Sequence, residues 1–532
     1  HIAKIINPDK FKNIRNRCYD DTDLNKELSD EWFINQNKIQ FENLGNRYLP
    51  ELNIELSEKY IFNAIGRNKE FYNRFVNKAD QIIIALKKLN ITSIENNINI
   101  IYEVINNFKI NSIDNIEVDE IIENLNYISE IINNKIIDIK RKLENCSDSS
   151  KDFLSKELYE LNQSESLIDE YIYYINSNEI KAVNNPFILL DGEGGIGKSH
   201  LLADTISKRN YEGKKSILFL GQHFKEGDNP FEAILRMLEL DCTSNQFLKK
   251  LNKIGENDKS RIIIFIDALN EGSGKRIWKE YLAGIIEKIK LYPWIGLVVS
   301  IRIEYVENLL NDNDSLVRNL VRVTHSGFST VEYDAIKKYF NFYEIPYSDI
   351  PFTNQEFRNP LFLRLLCEGF KKKTIDLDNI SFNDVYKNYL SEMNIHLADR
   401  CEYSKHIRVI EKVINEMVLY KYNSGLGSNL IPLEETIEIV SNVEKKYNIK
   451  KSLLDELISS GILTKNVNYD DEEYIYVTYE KLEDYLYAKL LVEEFDKIGA
   501  AKFGLKYKNL KYRIDILEAL AIVLSEKGDY EL

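Results

Sequence analysis

Residues 187–204 read FILLDGEGGIGKSHLLAD, and the fold is decided by how this stretch changes character along its length. Phe187, Ile188, Leu189 and Leu190 are an unbroken apolar run, the pattern of a strand buried on both faces. Glycines then stand at 192, 194, 195 and 197, directly before Lys198 and Ser199. Glycine at these positions lets backbone N–H groups turn inward around a phosphate, in conformations that side chains block. The spacing after the loop predicts a helix over 199–208, whose positive end adds to the same site. Gly192, Gly194, Gly195, Ile196, Gly197 and Lys198 are therefore candidate phosphate ligands. Lys198 is placed to reach the β- and γ-phosphates of a nucleoside triphosphate, and the Ser199 hydroxyl to ligate Mg²⁺.

Outward from this loop, residues 216–220 (SILFL), 261–266 (RIIIFI) and 296–301 (GLVVSI) are further apolar runs separated by helical spacing. Continuous apolar strands alternating with helices predict a parallel sheet covered on both faces. The run at 261–266 leads into Asp267-Ala268-Leu269-Asn270-Glu271. Buried strands rarely carry an acid unless they end at a site. Asp267 is a candidate to hold Mg²⁺ through water, and Glu271 to polarise the attacking water. The run at 296–301 ends at Arg302, a candidate to sense or stabilise the γ-phosphate, although an arginine at a strand end is also commonly just solvated. His200 adjoins Ser199 and is kept among the nucleotide contacts, against the simpler reading of a helix residue facing away. His223, after the second strand, is weighed in the same way. The expected fold is an α/β P-loop NTPase core with a parallel sheet, within an α-rich multidomain chain.

The rest of the chain supplies the other modules. Its 532 residues are too many for one core and suggest about three to five domains. A hydrophobic fraction of 44% excludes a disordered chain. The net charge of −15 argues against a protein whose main task is coating nucleic acid. Five scattered cysteines without a CxxC pair exclude a disulfide framework or zinc site and point to a reducing, cytoplasmic setting. No apolar stretch is long enough to span a membrane. The chain opens at His1 in mid-pattern and is read as a piece of a longer protein. Residues 1–74 lead into the ATPase module, and 75–182, almost free of Gly and Pro, form a helical insert. The P-loop core follows over 183–330, and a helical domain over 331–425. Helix, helix, strand, turn and strand over 426–498 is the order of a winged helix, and 499–532 begin a further helical region.

Four stretches together carry a family resemblance: 187–204, 220–240 (LGQHFKEGDNPFEAILRMLEL), 267–271 (DALNE) and 359–368 (NPLFLRLLCE). They resemble the STAND class of signal-transduction NTPases, in its bacterial antiviral branch often called AVAST, related to NACHT and apoptotic ATPases. Residues 41–56 (FENLGNRYLPELNIEL) look like the segment preceding the ATPase in that branch. The resemblance implies that Pro360 packs on the adenine and that Arg302 is the sensor arginine. It places Tyr479 where NACHT proteins often carry a histidine on the β-phosphate. It makes Arg67 a base contact, with Arg47 and Tyr48 as alternative nucleotide contacts. ATP rather than GTP follows from the resemblance, since no motif distinguishes them.

The same resemblance implies a switch. ATP exchange with ADP, and recognition of a phage protein by a C-terminal sensor, would drive assembly into a homo-oligomer, with a tetramer favoured. An N-terminal effector outside this segment would then act, and nucleic acid enters only through that effector. Two other classes stay open. One is an AAA+-like motor acting on nucleic acid or protein complexes, for which an arginine finger and a pore loop are missing. The other is a scaffold that binds nucleotide without hydrolysing it.

Overall fold

The computed structural model describes residues 28–145, 148–224, 227, 229–271, 274–310, 319–347, 355–373, 375, 382–424, 431–460, 462–467, 473–499, 502–504 and 514–527. The first 27 residues of the expected N-terminal segment, and much of 499–532, lie outside these.

Five parallel strands form the central sheet: β1 (Phe187–Asp191), β2 (Ser216–Leu220), β3 (Ile262–Asp267), β4 (Ile295–Ser300) and β5 (Val321–Thr324), in the order β2-β3-β4-β1-β5. The first four are buried along their whole length, as their apolar runs require. β5 was not expected. Its sequence, Val-Arg-Val-Thr, alternates buried and exposed, as suits a short edge strand beside β1. The register brings Leu220 opposite Asp267 and Leu190 opposite Ser300, so the functional ends of the strands align at one edge. β4 lies between the strand that carries the glycine loop and the strand that ends in Asp267. Both can therefore face a crevice beyond the carboxyl ends of the sheet, where open α/β folds place ligands.

The expected helical stretch after the N-terminal segment is present. α1 (Asp30–Leu44) covers the edge strand β2, where Asn37 donates to the Ser216 carbonyl at 2.8 Å and accepts from the Leu218 N–H at 3.0 Å. Pairing the edge through one buried amide removes an open row of strand donors and acceptors. α2 (Glu58–Ile65), α3 (Lys69–Lys88), α4 (Glu95–Asn107), α5 (Val118–Asn145), α6 (Asp148–Ile175) and α7 (Asn178–Asn184) follow. Their isoleucines, among them Ile121, Ile128 and Ile132, share one core with Ile188, Leu190, Phe265 and Val298 on one face of the sheet. α8 (Lys198–Tyr211) belongs to the same face. α9 (Pro230–Met237), α10 (Ser244–Asp258) and α11 (Gly274–Lys290) cover the opposite face around Trp278, Phe247 and Ile264.

After β5 the chain is helical: α12 (Val306–Leu310) precedes that strand, and α13 (Glu332–Phe342), α14 (Pro360–Gly369), α15 (Phe382–Cys401) and α16 (Val409–Ser424) follow it. Next come β6 (Ile431–Pro432), α17 (Leu433–Tyr447), α18 (Leu453–Ser459), β7 (Leu463–Val467) and β8 (Glu473–Val477). β6, β8 and β7 make an antiparallel sheet in that order. α19 (Glu480–Ile498) and α20 (Ile514–Lys527) pack against each other and share a core with α14 to α16. Among the described residues no helix is long and apolar enough to cross a membrane.

Candidate nucleotide site

The loop between β1 and α8 has the backbone that its glycines predict. Gly195 (φ 72°) and Gly197 (φ 101°) lie in the left-handed region that side-chain-bearing residues avoid. Gly197 caps α8, whose first residue is Lys198. The Lys198 ammonium is buried and donates to the Gly192 carbonyl at 2.7 Å and the Glu193 carbonyl at 2.8 Å. It is thus folded over the loop that would hold the phosphates.

Across β4, Asp267 is buried at the end of β3. Its Oδ1 accepts from the Ser300 hydroxyl, whose oxygen in turn accepts from the Ala268 N–H at 2.7 Å. Ala268 has φ 57°, and Leu269 N–H donates to the Ser300 carbonyl at 2.8 Å, so the turn after Asp267 is strapped to the end of β4. The neighbouring Arg302 N–H donates to Asn270 Oδ1 at 3.1 Å. Burial raises the Asp267 pKa, against the hydroxyls of Ser199 and Ser300, which lower it. Asp267 Oδ2 is buried without a protein hydrogen-bond partner. A carboxylate oxygen left in this way beside Ser199 fits a divalent cation. Among the described residues no cluster of three or more His, Cys, Asp or Glu could hold a metal. A cation here would therefore depend on Ser199, Asp267, phosphate oxygens and water, which is the ligand set Mg²⁺ accepts.

Loop, acid and Arg302 open on one cleft of about 1110 Å³. That is at the upper end of ordinary small-molecule sites, which run to about 1,000 Å³, and has room for a nucleotide with its metal. Gly192 is at the loop's start, and Gly194, Gly195, Ile196, Gly197, Lys198 and Ser199 line the cleft. Arg302 lies against the loop, with Nη1 3.6 Å from where a methyl on Gly194 would stand. Pro360 and Leu361, at the start of α14, press on the loop from outside the sheet. A methyl on Gly197 would stand 3.4 Å from Pro360 Cγ, and one on Gly195 2.7 Å from Leu361 Cδ2. The sequence places α14 there through its cap, since Asn359 Oδ1 accepts from Leu361 N–H at 2.9 Å and Phe362 N–H at 3.1 Å.

Other predicted residues divide. Arg47 lines the cleft, and its Nη1 donates to both Glu271 carboxylate oxygens at 3.1 Å. Glu271, and less strongly Tyr476 and Asp267, raise the Arg47 pKa, against burial, which lowers it. Tyr479 is buried in the cleft wall, its ring edge-on to Tyr389 at 5.5 Å, near Arg364. Burial raises its pKa. His200 is in the wall too, but its Nε2 meets the Leu49 carbonyl at 3.0 Å and its ring meets Tyr48 at 5.2 Å. Burial lowers its pKa.

Two expectations are corrected. Tyr48 packs between Phe41 and His200 on the flank of α8 and is not among the residues lining the cleft. Arg67 is remote from the cleft. It is buried, donates to the Ser112 and Asp114 carbonyls, and lies over Phe108, so it ties α2 to the loop before α5. The reason is local: Arg67 has φ 53° just after α2, which turns the side chain toward the helical insert. His223 is half-buried with its pKa lowered by burial, and it too does not line the cleft.

Sequence reasoning missed two residues. His325 follows β5, and its backbone N–H donates to the Asp191 carbonyl at 2.8 Å. Its buried ring meets Glu58 Oε1 at 2.7 Å through Nδ1, while Nε2 faces Gly197. Arg364, one helical turn after Pro360, lines the cleft and donates to Glu368 at 2.7 Å and to the Asn46 carbonyl. The spacing from Pro360 was the available signal for Arg364, because residues four apart share a helix face.

No family model matches the chain, and no curated protein matches it. Among solved structures, Cdc6p from Pyrobaculum aerophilum is 14% identical at a TM-score of 0.24, over 58% of this chain and 89% of that one. The Aeropyrum pernix ORC1 protein in complex with DNA is 13% identical at 0.25, over 56% and 84%. A RuvB from Thermotoga maritima is 15% identical at 0.23, over 56% and 85%. Likenesses this remote add nothing about ligand or partner. The P-loop NTPase fold rests on this chain's own sheet order, glycine loop and acid-bearing strand.

Proposed function

We propose that this chain is a nucleotide-dependent switch: it binds ATP with Mg²⁺ on the loop at 192–199, hydrolyses it slowly, and changes the arrangement of its modules with nucleotide state. The supporting observation is that one cleft is walled by the sheet, the 46–56 segment, α14, the β7–β8 sheet and α20 together. A ligand filling that cleft touches every module, so its affinity must differ between arrangements that keep the walls together and those that separate them.

Within the cleft, the loop amides and Lys198 would orient the phosphates, and Ser199 and Asp267 would hold Mg²⁺, which neutralises developing phosphate charge. Glu271 would accept a proton from the attacking water, with Arg302 against the loop to stabilise the terminal phosphate. Leu52, Ile54, Phe328 and Pro360 offer an apolar surface to the base. By its resemblance to antiviral STAND proteins, the switch is assigned to anti-phage signalling. A phage protein recognised by a C-terminal sensor would open the modules and drive homo-oligomerisation. The region from β6 to β8 is read as a winged helix that holds the resting arrangement through Tyr479.

Solution mass of the full-length protein, with ATP and Mg²⁺, before and after adding single phage proteins, tests this. A shift from monomer to a defined oligomer with one of them, lost in Lys198→Ala, supports the switch. A constant oligomer that turns over ATP without any trigger favours a motor instead.

A further inference from the structure

Residues 46–53 form a strap of two short 3-10 turns, Gly45–Arg47 and Pro50–Leu52, with Tyr48 and Leu49 extended between them. Its bonds run in several directions. Arg364 of α14 donates to the Asn46 carbonyl, and Asn46 Nδ2 reaches the Ser460 carbonyl at 3.4 Å. His200 of α8 meets the Leu49 carbonyl, and Lys338 of α13 donates to the Asn53 carbonyl. Leu52 is 1% exposed and is part of the core built by α13 to α16 and the second sheet, not of either core beside the five-stranded sheet. Arg47 points the other way, to Glu271 and, at 3.4 Å, to Gln222 Oε1 after β2. Both partners of the ion pair are shielded, with side chains 27% and 21% exposed.

We propose that Arg47 is a positioning residue that withholds Glu271 from the attacking water, and that the strap makes this hold depend on where the helical region sits. While α13, α14 and the second sheet lie against the P-loop core, Leu52 is anchored in their packing and Arg47 occupies both Glu271 oxygens. When they move away, the strap goes with Leu52, and Glu271 regains the free oxygen a general base needs. No covalent step is added. This rests on the reading of Glu271 as the base in ATP hydrolysis.

The test is steady-state ATP hydrolysis with Mg²⁺, alongside ADP affinity, for the wild type, Arg47→Ala, Arg47→Lys, Lys338→Met and Glu271→Gln. Arg47→Ala should raise turnover about tenfold, equivalent to about 1.4 kcal/mol off the barrier, with ADP affinity little changed. Arg47→Lys keeps a cation on Glu271 and should stay near wild type. Lys338→Met loosens the strap at a residue that does not line the cleft and should raise turnover in the same direction, by about threefold, a fraction of one hydrogen bond's worth. A purely structural Arg47 would not be mimicked by Lys338→Met. If turnover is sensitive to Glu271→Gln but Arg47→Ala leaves it unchanged or lowers it, the latch is wrong and the ATPase reading stands. If no variant hydrolyses ATP, or Glu271→Gln makes no difference, the ATPase reading fails and the latch with it.

Discussion

Gly195→Ala probes the contact between the P-loop and α14, and its cost can be worked from the structure. The residue has φ 72°, where alanine is strained by about 1–2 kcal/mol. The added methyl would stand 2.7 Å from Leu361 Cδ2 and 3.4 Å from Leu361 Cβ. Relieving that overlap by shifting a packed helix costs about 1–3 kcal/mol more. Leu361→Ala by itself gives up a half-buried leucine, about 1–2 kcal/mol. In the double variant the overlap with Cδ2 is gone while the backbone strain remains. Its destabilisation should therefore fall short of the sum of the single variants by about 1–2 kcal/mol, within the usual coupling of touching residues. Urea unfolding followed by tryptophan fluorescence reads this well, because Trp278 and Trp294 are both buried beside the five-stranded sheet. With a slope of about 2 kcal/mol per molar, Gly195→Ala alone should lower the midpoint by about 1–2 M. Strict additivity of the two substitutions would refute the reasoning, since it would mean that α14 does not rest on the loop.

Arg67→Met should destabilise the chain by about 2–3 kcal/mol, because it removes a charged donor from the buried Ser112 and Asp114 carbonyls, while ATP affinity measured by calorimetry stays at the wild-type value. Glu58→Gln should cost about 1–2 kcal/mol at neutral pH through the buried bond to His325. Burial acts to raise the Glu58 pKa, but the bond and charge of His325 outweigh it and hold the group below its ordinary 4.5. A depressed folded-state pKa gives stability present above the unfolded value and lost as pH falls through the folded value. The difference between Glu58→Gln and wild type in urea midpoint should therefore shrink below pH 4.5. Asp267→Asn should reduce hydrolysis by about a hundredfold or more, on the scale of other electrostatic contacts to a transition state, and ATP binding should no longer strengthen on adding Mg²⁺.

The legible parts of the fold were those written in short-range pattern. Four wholly apolar strands, the glycine loop and the acid after Ile266 each announce themselves within a few residues. β5 was hidden because Arg322 and Thr324 break the apolar run, and the edge position that allows this is a property of the whole sheet. Arg322 pairs with Asp191, which is buried at the end of β1, and no spacing rule connects residues 131 apart. The same holds for Glu58 and His325, 267 residues apart, which meet beneath Gly197. Arg47 was selected as a nucleotide contact and does line the cleft, but its pairing with Glu271 depends on how the strap is packed. Arg67 went astray for a simpler reason. A Gly-Arg dipeptide after a helix matches a family pattern, whereas the backbone at Arg67 turns its guanidinium to the carbonyls of the insert.

Calorimetric titration of ATP with Mg²⁺ into the wild type and into Lys198→Ala tests the central claim most directly. The account predicts one tight site per chain in the wild type and affinity weaker by about a hundredfold or more in the variant. That corresponds to about 2.7 kcal/mol for one buried charge-assisted contact to phosphate. Equal affinity in both, with the variant folded by its far-ultraviolet circular dichroism, would mean that the loop at 192–199 does not hold the phosphates.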